Sequence, residues 1–469
     1  MARGARVVKN WRGAWKIGVP ALLAALFACS GGGKDRSFEL PAGAEFDSLG
    51  SSTVLVATNA ENECGRTGDC IVAPPGGCHT GSGNTRGLAV YRLGVSGLLL
   101  GASGQNTAAP SPEQVIATDD NPRRLIAHPL DPTLLYVATK DRIQVFRLAP
   151  DNRTRCIDET LSQQEVQPDS DSLDPVDLEI DPTVGFGVLY VAARGADRID
   201  AYSIAADGTI PEVPSSCAVG RGDSEYQAVA ALNSEFIAAG GQSRIEIFAR
   251  ENGQLINPPT TPDPDATATP SPEATPTPSP QPTCIGSSAE TEVVSAIGAA
   301  IVTDLLFAPS PSKPLGQLFI SEEVSQRLFT FPIDTGGQID DDDSSSTNRA
   351  GLYQTMLRQE RGGSSLLYVS VFQEGRIDVF RLEDGLLPDE SFSRTSEDVN
   401  SLPVGLAAVP GPGNLLYVAQ GGLNRVDGFS LADDGSIADL PLTSTAPVVD
   451  LQGRTVDTFP NDLVIVPLP

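Results

Sequence analysis

The sequence is poor in the side chains that most often carry catalysis and metal binding. It has only two histidines, His79 and His128, among 469 residues. No G-x-S-x-G segment is present, so nothing indicates a serine nucleophile of the α/β-hydrolase type. Cys64, Cys70 and Cys78 lie close to His79, but no paired C-x-x-C spacing supports a zinc site there. The sequence therefore predicts no metal, no cofactor and no identifiable catalytic residue.

Basic residues are also scarce. The chain has 32 Lys and Arg residues against 60 Asp and Glu residues, which gives a formal net charge of −28. Proteins that bind nucleic acid neutralise its phosphates with an excess of basic side chains. The charge balance therefore argues against a nucleic-acid partner.

The first 28 residues have the pattern of an export signal. Residues 1–16 contain basic residues and no acid, and residues 17–28 form an apolar run shorter than the roughly 20 residues that span a bilayer. The run ends in Leu26-Phe27-Ala28-Cys29, which resembles the bacterial lipobox. The resemblance implies a signal peptide over residues 1–28, lipidation such as palmitate on Cys29, and a flexible tether over residues 29–51. Ser30 implies an outer-membrane anchor, facing the periplasm or the cell surface.

The rest of the chain, residues 52–469, repeats one unit seven times. Each unit has an apolar strand such as Leu134–Ala138, a polar loop, and then an arginine, an aliphatic residue, two further residues and an aromatic; the unit from Arg86 to Tyr91 is one residue longer through Gly87. Most successive arginines are 46 to 56 residues apart, which is typical of propeller blades. In four units an Asp-Gly or Asn-Gly pair follows, which predicts a hairpin turn. A further strand, often introduced by proline, precedes each apolar strand, so each unit supplies four strands.

The sequence thus predicts an all-β fold, a seven-bladed β-propeller of four-stranded antiparallel blades in a single domain. The chain ends with residues 460–466, which read as a first strand with no second strand after it. The missing partner is residues 53–58, near the start of the repeats. We therefore expect the C-terminal strand to complete blade one and close the ring, which removes exposed sheet edges.

Two insertions interrupt the repeats. Residues 257–283 are rich in Pro, Thr and Ser and are expected to be a disordered, solvated excursion from the outer rim of blade four. Residues 59–85 form a cysteine-rich loop insertion on the face where propellers usually bind ligands. After Cys29, six cysteines remain, an even number that predicts disulfides in an exported protein. A disulfide within the 59–85 loop is expected. Fifteen sets of pairings are possible for the six cysteines, which are Cys64, Cys70, Cys78, Cys156, Cys217 and Cys284.

The repeat, with its Leu-Tyr-Val-Ala strand followed by Arg-Ile-x-Val-Phe, resembles a family of bacterial propellers that includes the 6-phosphogluconolactonase-like and YVTN-type proteins. The resemblance covers nearly all of residues 52–467 and implies the fold. Lactonases of this kind depend on His, Arg and Glu side chains at the central mouth. No catalytic residue is carried over by a motif, since His79 and His128 are the only histidines.

Two constellations are candidate ligand sites. The repeat arginines begin the third strand of every blade, so they form a ring on the loop face: Arg86, Arg142, Arg198, Arg244, Arg327, Arg376 and Arg425. Such a ring could be a collar for an anion, or each arginine could be a structural clamp within its blade, the interpretation we favour. Polar residues of the first strands are expected to line the central channel, where they could bind a ligand or only water and one another: Arg123, Arg124, Asp177, Asp304, Asn461 and Asp462.

The favoured functional hypothesis is a monomeric, non-enzymatic binding or scaffolding propeller. It would be attached to the membrane through its N-terminal lipid and would present its loop face to a small molecule, a glycan or a protein. The alternative is a lactonase-like hydrolase of a sugar-acid lactone, which the family resemblance and the arginine ring favour and the shortage of histidine disfavours.

Overall fold

In the computed structural model, the described residues are 53–59, 87–94, 96–100, 110, 112, 114–118, 122–140, 142–148, 154–160, 173–220, 225–256, 284–286, 301–309, 315–340, 344–347, 351–409, 414–446 and 459–467. The predictions for Cys29, the tether, the 59–85 loop beyond residue 59, Arg86 and residues 257–283 lie outside these ranges. No helix in the described ranges is long and apolar enough to cross a membrane.

The described residues form seven antiparallel sheets, which confirms the predicted propeller. Blade one contains β1 (Thr53–Asn59), β2 (Gly87–Leu93) and β3 (Gln114–Ala117). Blade two contains β4 (Arg124–Ala127), β5 (Leu134–Ala138), β6 (Ile143–Leu148) and β7 (Thr154–Thr160). Blade three contains β8 (Pro175–Asp181), β9 (Val188–Ala193), β10 (Arg198–Ser203) and β11 (Ser216–Val219). Blade four contains β12 (Ala228–Ala231), β13 (Phe236–Gly241), β14 (Arg244–Glu251) and β15 (Gln254–Leu255).

The strand β16 (Ile285–Gly286) follows blade four in the chain. Blade five contains β17 (Val302–Ala308), β18 (Gly316–Glu322), β19 (Arg327–Ile333) and β20 (Ser345–Ser346). Blade six contains β21 (Tyr353–Arg361), β22 (Ser364–Val371), β23 (Arg376–Leu382) and β24 (Ser393–Arg394). Blade seven contains β25 (Pro403–Ala408), β26 (Leu415–Gln420), β27 (Arg425–Ser430) and β28 (Thr443–Ser444), and the last strand is β29 (Pro460–Pro467). Two 3₁₀ turns, Arg194–Ala196 and Gly421–Leu423, connect second to third strands in blades three and seven.

Ring closure is as predicted. The strand β29 is the innermost strand of blade one and pairs antiparallel with β1, from Thr53 opposite Pro467 to Asn59 opposite Pro460. Every residue of β29 is buried. The two ends of the repeat region therefore share one sheet, and neither leaves an unpaired inner edge that could aggregate.

The hydrophobic core lies between the blades. Seven clusters of buried side chains each join one blade to the next. Each cluster contains one aromatic residue from the repeat, and the set is Tyr91, Phe146, Tyr202, Phe248, Phe331, Phe380 and Phe429. Burying one such side chain contributes about 1.5–3 kcal/mol. The aromatic position of the repeat is therefore the contact that makes adjacent blades stack.

A second repeated contact links blades on the face opposite the repeat arginines. In four blades the tyrosine of the second strand donates its hydroxyl to a turn-glycine carbonyl in the next blade, namely Tyr136 to Gly208, Tyr190 to Gly253, Tyr368 to Gly435 and Tyr417 to Gly97. The oxygen-to-oxygen distances are 2.6–3.0 Å. Burial raises the pKa of Tyr368 to about 12. The tyrosine and the Asp-Gly turn, two separate features of the repeat, therefore meet across a blade junction.

Blade three has a fifth strand that the repeat did not predict. After β15 of blade four, the chain returns at Cys284, and β16 pairs in parallel with β11 at the outer edge of blade three. A disulfide joins Cys217 of β11 to Cys284, with a Cα–Cα distance of 4.6 Å. This bond is one of the pairings that the sequence left open, and it fixes the point where the chain re-enters the fold.

Candidate functional site

Three carboxylates at the propeller axis join consecutive blades. Asp462, Asp177 and Asp304 occupy equivalent positions on the innermost strands of blades one, three and five, and all three are buried. In each case one oxygen accepts the amide of the following residue, at 2.9–3.0 Å. The other oxygen accepts an amide from the innermost strand of the next blade, at 2.7–2.9 Å. Each of these aspartates therefore joins its own blade to the next by hydrogen bonds, and we call them carboxylate clasps.

Arg124 fills the channel between these carboxylates. Its side chain is fully buried, its Nε lies 2.7 Å from Asp177 in blade three, and one terminal nitrogen lies 3.7 Å from Asp304 in blade five. Burial alone would lower the pKa of Arg124, but Asp177, Asp462 and Asp304 raise it above its ordinary value. The guanidinium is therefore charged and held across the axis. At this level Arg124, Asp177 and Asp304 contact one another.

Towards the loop face, a second polar cluster surrounds the mouth of the channel. Arg123 contacts Asp174 at 2.5 Å, and Arg194 contacts the same carboxylate through two nitrogens at 2.7 and 2.8 Å. Arg194 also donates to Oε1 of Gln227 at 3.4 Å. Two guanidinium groups therefore share one carboxylate in a chain whose net charge is −28. We call Arg123, Asp174, Arg194 and Gln227 the mouth cluster.

Gln227 carries an unused hydrogen-bond donor in this cluster. Its side chain is 3% exposed, and its Nε2 has no hydrogen-bond partner among the described residues. Because Arg194 donates to the other end of the amide, that end must be the carbonyl oxygen, and the amide nitrogen points away from Arg194. A buried donor without an acceptor costs about 1–3 kcal/mol. The mouth cluster therefore favours an occupant with acceptor oxygens.

A carboxyl group with a raised pKa lies on the equivalent loop of blade five. Arg194 follows Ala193, which pairs with the repeat arginine of blade three, and Glu323 follows Glu322, which pairs with Arg327 in the same way. The carboxylate of Glu322 is buried and accepts the amides of Val324 and Ser325. Burial raises the pKa of Glu323, and the neighbouring Glu322 raises it further.

The repeat arginines are paired within their own blades in four cases. Each of these arginines contacts the acid two residues later on the same strand, namely Arg198 with Asp200, Arg244 with Glu246, Arg376 with Asp378 and Arg425 with Asp427, at 2.7–3.5 Å. Three blades lack the acid, since Leu88, Gln144 and Phe329 stand two residues after Arg86, Arg142 and Arg327. Arg327 is exposed. The structure therefore does not present a uniform collar of cations.

His128, the histidine in the described ranges, lies away from the mouth cluster. It follows β4 at the turn towards β5, on the face opposite the repeat arginines. Its Nδ1 accepts the amides of Leu130 and Asp131, so Nε2 carries the proton and donates to the carbonyl of Phe186 in blade three. Burial lowers the pKa of His128. The neutral ring is therefore a structural link between blades two and three.

Sequence reasoning identified Arg123 at the mouth but missed Asp174, Arg194, Gln227 and Glu323. They lie in connecting segments or at strand ends, where the repeat pattern stops. One signal was available, because Arg194 stands one residue after the apolar strand of a blade whose repeat arginine, Arg198, already has an acidic partner.

Comparison with known proteins supports the fold but does not identify an activity, a ligand or a partner. No family model matches the chain, and no curated protein matches it. Among solved structures, a periplasmic gluconolactonase from Pseudomonas aeruginosa, PpgL, is 14% identical with a TM-score of 0.54, covering 89% of this chain and 100% of that one. A protein provisionally assigned as a 6-phosphogluconolactonase from Bacteroides uniformis is 14% identical with a TM-score of 0.55, at 89% and 100% coverage. A Lactobacillus plantarum protein is 14% identical with a TM-score of 0.55, at 88% and 99% coverage.

Proposed function

We propose that this chain is a non-enzymatic binding propeller, anchored to the bacterial envelope by a lipid on Cys29, that takes a small anionic molecule at the mouth cluster. The anchor rests on the lipobox-like segment Leu26–Cys29. The ligand class rests on the mouth cluster, and the observation that carries it is the unpartnered amide nitrogen of Gln227, whose carbonyl oxygen accepts from Arg194.

Charge supports an anionic ligand. The chain as a whole repels anions, so an anion is attracted only where positive charge is concentrated. Within the mouth cluster, Arg123 and Arg194 carry two positive charges against the one carboxylate of Asp174. A carboxylate or phosphate would supply acceptor oxygens for the amide of Gln227 and for charge-assisted bonds from the arginines.

Binding without catalysis is favoured by what the described part of the mouth contains. His128 is used on the opposite face, and the arginine pairs and axial aspartates are engaged in the fold. A ligand held only by Arg123, Arg194 and Gln227 meets hydrogen-bond donors, and none of these groups is a nucleophile.

Glu323 supports a second candidate function, hydrolysis of a sugar-acid lactone. A carboxylate whose pKa is raised is a stronger base and can act as a general base. In this scheme Glu323 takes a proton from water, and the water oxygen attacks the lactone carbonyl. The ring carbon–oxygen bond then breaks, and the ring oxygen takes the proton back from Glu323 to give a hydroxy acid. The likeness in fold to the gluconolactonase adds to this candidate.

One experiment separates the two functions. We expect isothermal titration calorimetry to show that gluconate or 6-phosphogluconate binds the wild-type chain. Arg194→Gln should weaken binding by about 1.5–3 kcal/mol, roughly 10- to 150-fold, because a charge-assisted bond is lost. Gln227→Leu should also weaken it. The matched control is Arg381→Gln, since Arg381 stacks on Phe392 at the far end of its strand.

Incubation with glucono-δ-lactone and 6-phosphogluconolactone completes the test. Binding without hydrolysis supports the binding function. Hydrolysis that Glu323→Gln abolishes would replace it with the lactonase function. If neither product anion binds and neither lactone is hydrolysed, the assignment of the mouth cluster is wrong.

A further inference from the structure

A separate cleft opens between blades six and seven. One wall consists of the start of β23 and the segment 395–401 that leads to blade seven, and the other consists of the start of β27 and residues 439–441. Its volume is about 170 Å³, below the roughly 300–1,000 Å³ of sites for drug-sized ligands. The mouth cluster belongs to blades two, three and four, so the two places are distinct. We call this place the blade six–seven cleft.

Two neutral, buried polar side chains line this cleft, each with an atom that has no partner among the described residues. The Oγ of Ser401 and the Oε1 of Gln420 have no hydrogen-bond partner in the part of the chain that the structure describes. The two residues are only 3% and 5% exposed. Buried polar atoms in native proteins are nearly always hydrogen-bonded, to protein or to an occupant. Gln420 supplies an acceptor and Ser401 supplies both a donor and an acceptor, so the occupant must itself offer both.

The charges of the cleft disfavour an anionic occupant. Three carboxylates, Asp398, Asp427 and Asp439, line it against two guanidinium groups, Arg376 and Arg425. Arg376 holds Asp378 through Nε and one terminal nitrogen, at 2.9 and 3.0 Å, and its other terminal nitrogen lies 3.7 Å from Glu397. Arg425 contacts Asp427 through Nε and one terminal nitrogen, at 2.8 and 3.1 Å, and its side chain is 35% exposed. The cleft therefore offers the partly exposed guanidinium of Arg425 as a donor and carboxylates as acceptors. Hydroxyl groups can bind to both, because they accept and donate hydrogen bonds.

Apolar surface lies beside these polar groups. Leu423, Phe429, Leu440 and Pro441 also line the cleft, and Leu440 is 73% exposed. One exposed leucine is ordinary on a protein surface. Here it borders two buried polar atoms that lack partners, so the wall is apolar on one side and polar on the other. A pyranose ring has the matching character, with C–H groups on its faces and hydroxyls that donate and accept around its edge.

We infer that the blade six–seven cleft binds a single neutral sugar ring, as one residue of a glycan. The hydroxyls of the ring would donate to Gln420 and to the rim carboxylates and accept from Ser401 and Arg425. The ring face would lie against Leu440 and Pro441. This inference stands on different residues from the mouth cluster and does not depend on the function proposed for that cluster.

The test uses the full mature chain and the methyl glycosides of glucose, galactose, mannose and N-acetylglucosamine. Saturation-transfer NMR should identify a glycoside that binds, and calorimetry should measure its Kd. Ser401→Ala and Gln420→Leu should each raise that Kd about five- to tenfold, the effect of one lost hydrogen bond. The matched controls are Ser436→Ala, in an exposed turn on the opposite face, and Gln254→Leu, on an exposed part of blade four. Neither control should change the Kd.

Thermal unfolding separates a ligand role from a structural one. Because Oε1 of Gln420 has no partner to lose, Gln420→Leu should keep the melting temperature of the wild type while weakening the glycoside. A lowered melting temperature with unchanged glycoside affinity would overturn the inference. It would also be overturned if none of the four glycosides binds, with or without binding of methylammonium, since the cleft would then be a site for a cation or for water.

Discussion

Arg198→Ala is a sensitive test of the repeat arginine as a structural clamp. Arg198 is 2% exposed, and its Nε and one terminal nitrogen hold the two oxygens of Asp200 at 2.7 and 3.0 Å. Asp200 is fully buried, and the hydroxyl of Tyr202 also donates to it at 3.4 Å. Burial raises the pKa of Asp200 above its ordinary value although Arg198 lowers it. Removing the guanidinium leaves a buried carboxylate without its counter-ion.

The size of the effect depends on pH. An uncompensated buried charge costs about 3–5 kcal/mol, and the alternative, protonating a carboxyl of ordinary pKa, costs about 4 kcal/mol at pH 7. At pH 4.5 the same protonation costs about 1 kcal/mol. Because the folded-state pKa is raised, the protonated form of Asp200 stabilises the fold at low pH, and this contribution is lost as the pH rises through that pKa. Arg198→Ala raises the pKa further, so the variant should lose most stability at neutral pH.

Urea unfolding of the wild type and the variant at pH 7 and pH 4.5 measures this difference. We expect a loss of about 4 kcal/mol at pH 7 and of about 1–2 kcal/mol at pH 4.5. Replacing both partners, Arg198→Met with Asp200→Leu, should restore most of the stability. Arg147→Ala is the control, since the Arg147–Asp131 pair is about two-fifths exposed and should contribute under about 1 kcal/mol. A loss at Arg198 that is below 1 kcal/mol, or that is equal at the two pH values, would refute the reasoning.

Two further predictions concern a turn and the anchor. Gly435 has φ +83°, and an added Cβ would meet Leu366 of blade six at 1.9 Å, whereas Gly363 has φ +78° with nothing within 4 Å. In thermal or urea unfolding, Gly435→Ala should therefore cost about 1–3 kcal/mol more than Gly363→Ala, which bears only the backbone penalty; equal losses would show that Leu366 moves aside freely. Cys29→Ala should transfer the protein from the membrane fraction to the soluble fraction after cell lysis, and unchanged membrane attachment would contradict the anchor.

The blades could be predicted from the sequence because every blade must pack against the next in the same way. Every junction needs a large apolar side chain, and the aromatic residue that follows the repeat arginine supplies it in all seven clusters. The closing strand could also be predicted, because residues 460–466 have the pattern of a first strand without a second strand after it. These features are periodic, so one chain was enough to reveal them.

The mouth cluster and the blade six–seven cleft could not be predicted from the repeat. Arg194 and Asp174 come from separate segments of blade three, and Gln227 meets them only when blades three and four pack. Ser401 and Gln420 likewise belong to a connection and a strand end, where the repeat imposes no residue type. The parallel strand β16 depends on a chain that leaves one blade and returns to another, and no local pattern encodes that path.

The axial contacts explain where a ligand can enter this ring. Carboxylate clasps join blade one to two, three to four, and five to six, and Arg124 joins blade two to three. At the junction of blades seven and one, the backbones approach so closely that a Cβ on Gly405 would lie 2.8 Å from the Cα of Asp462. The junction of blades six and seven instead has a neutral contact, from the hydroxyl of Ser370 to the carbonyl of Val404 at 3.3 Å. The cleft opens at this junction, while the axis is filled by Arg124. Recognition should therefore occur off the axis, at the mouth and between blades six and seven.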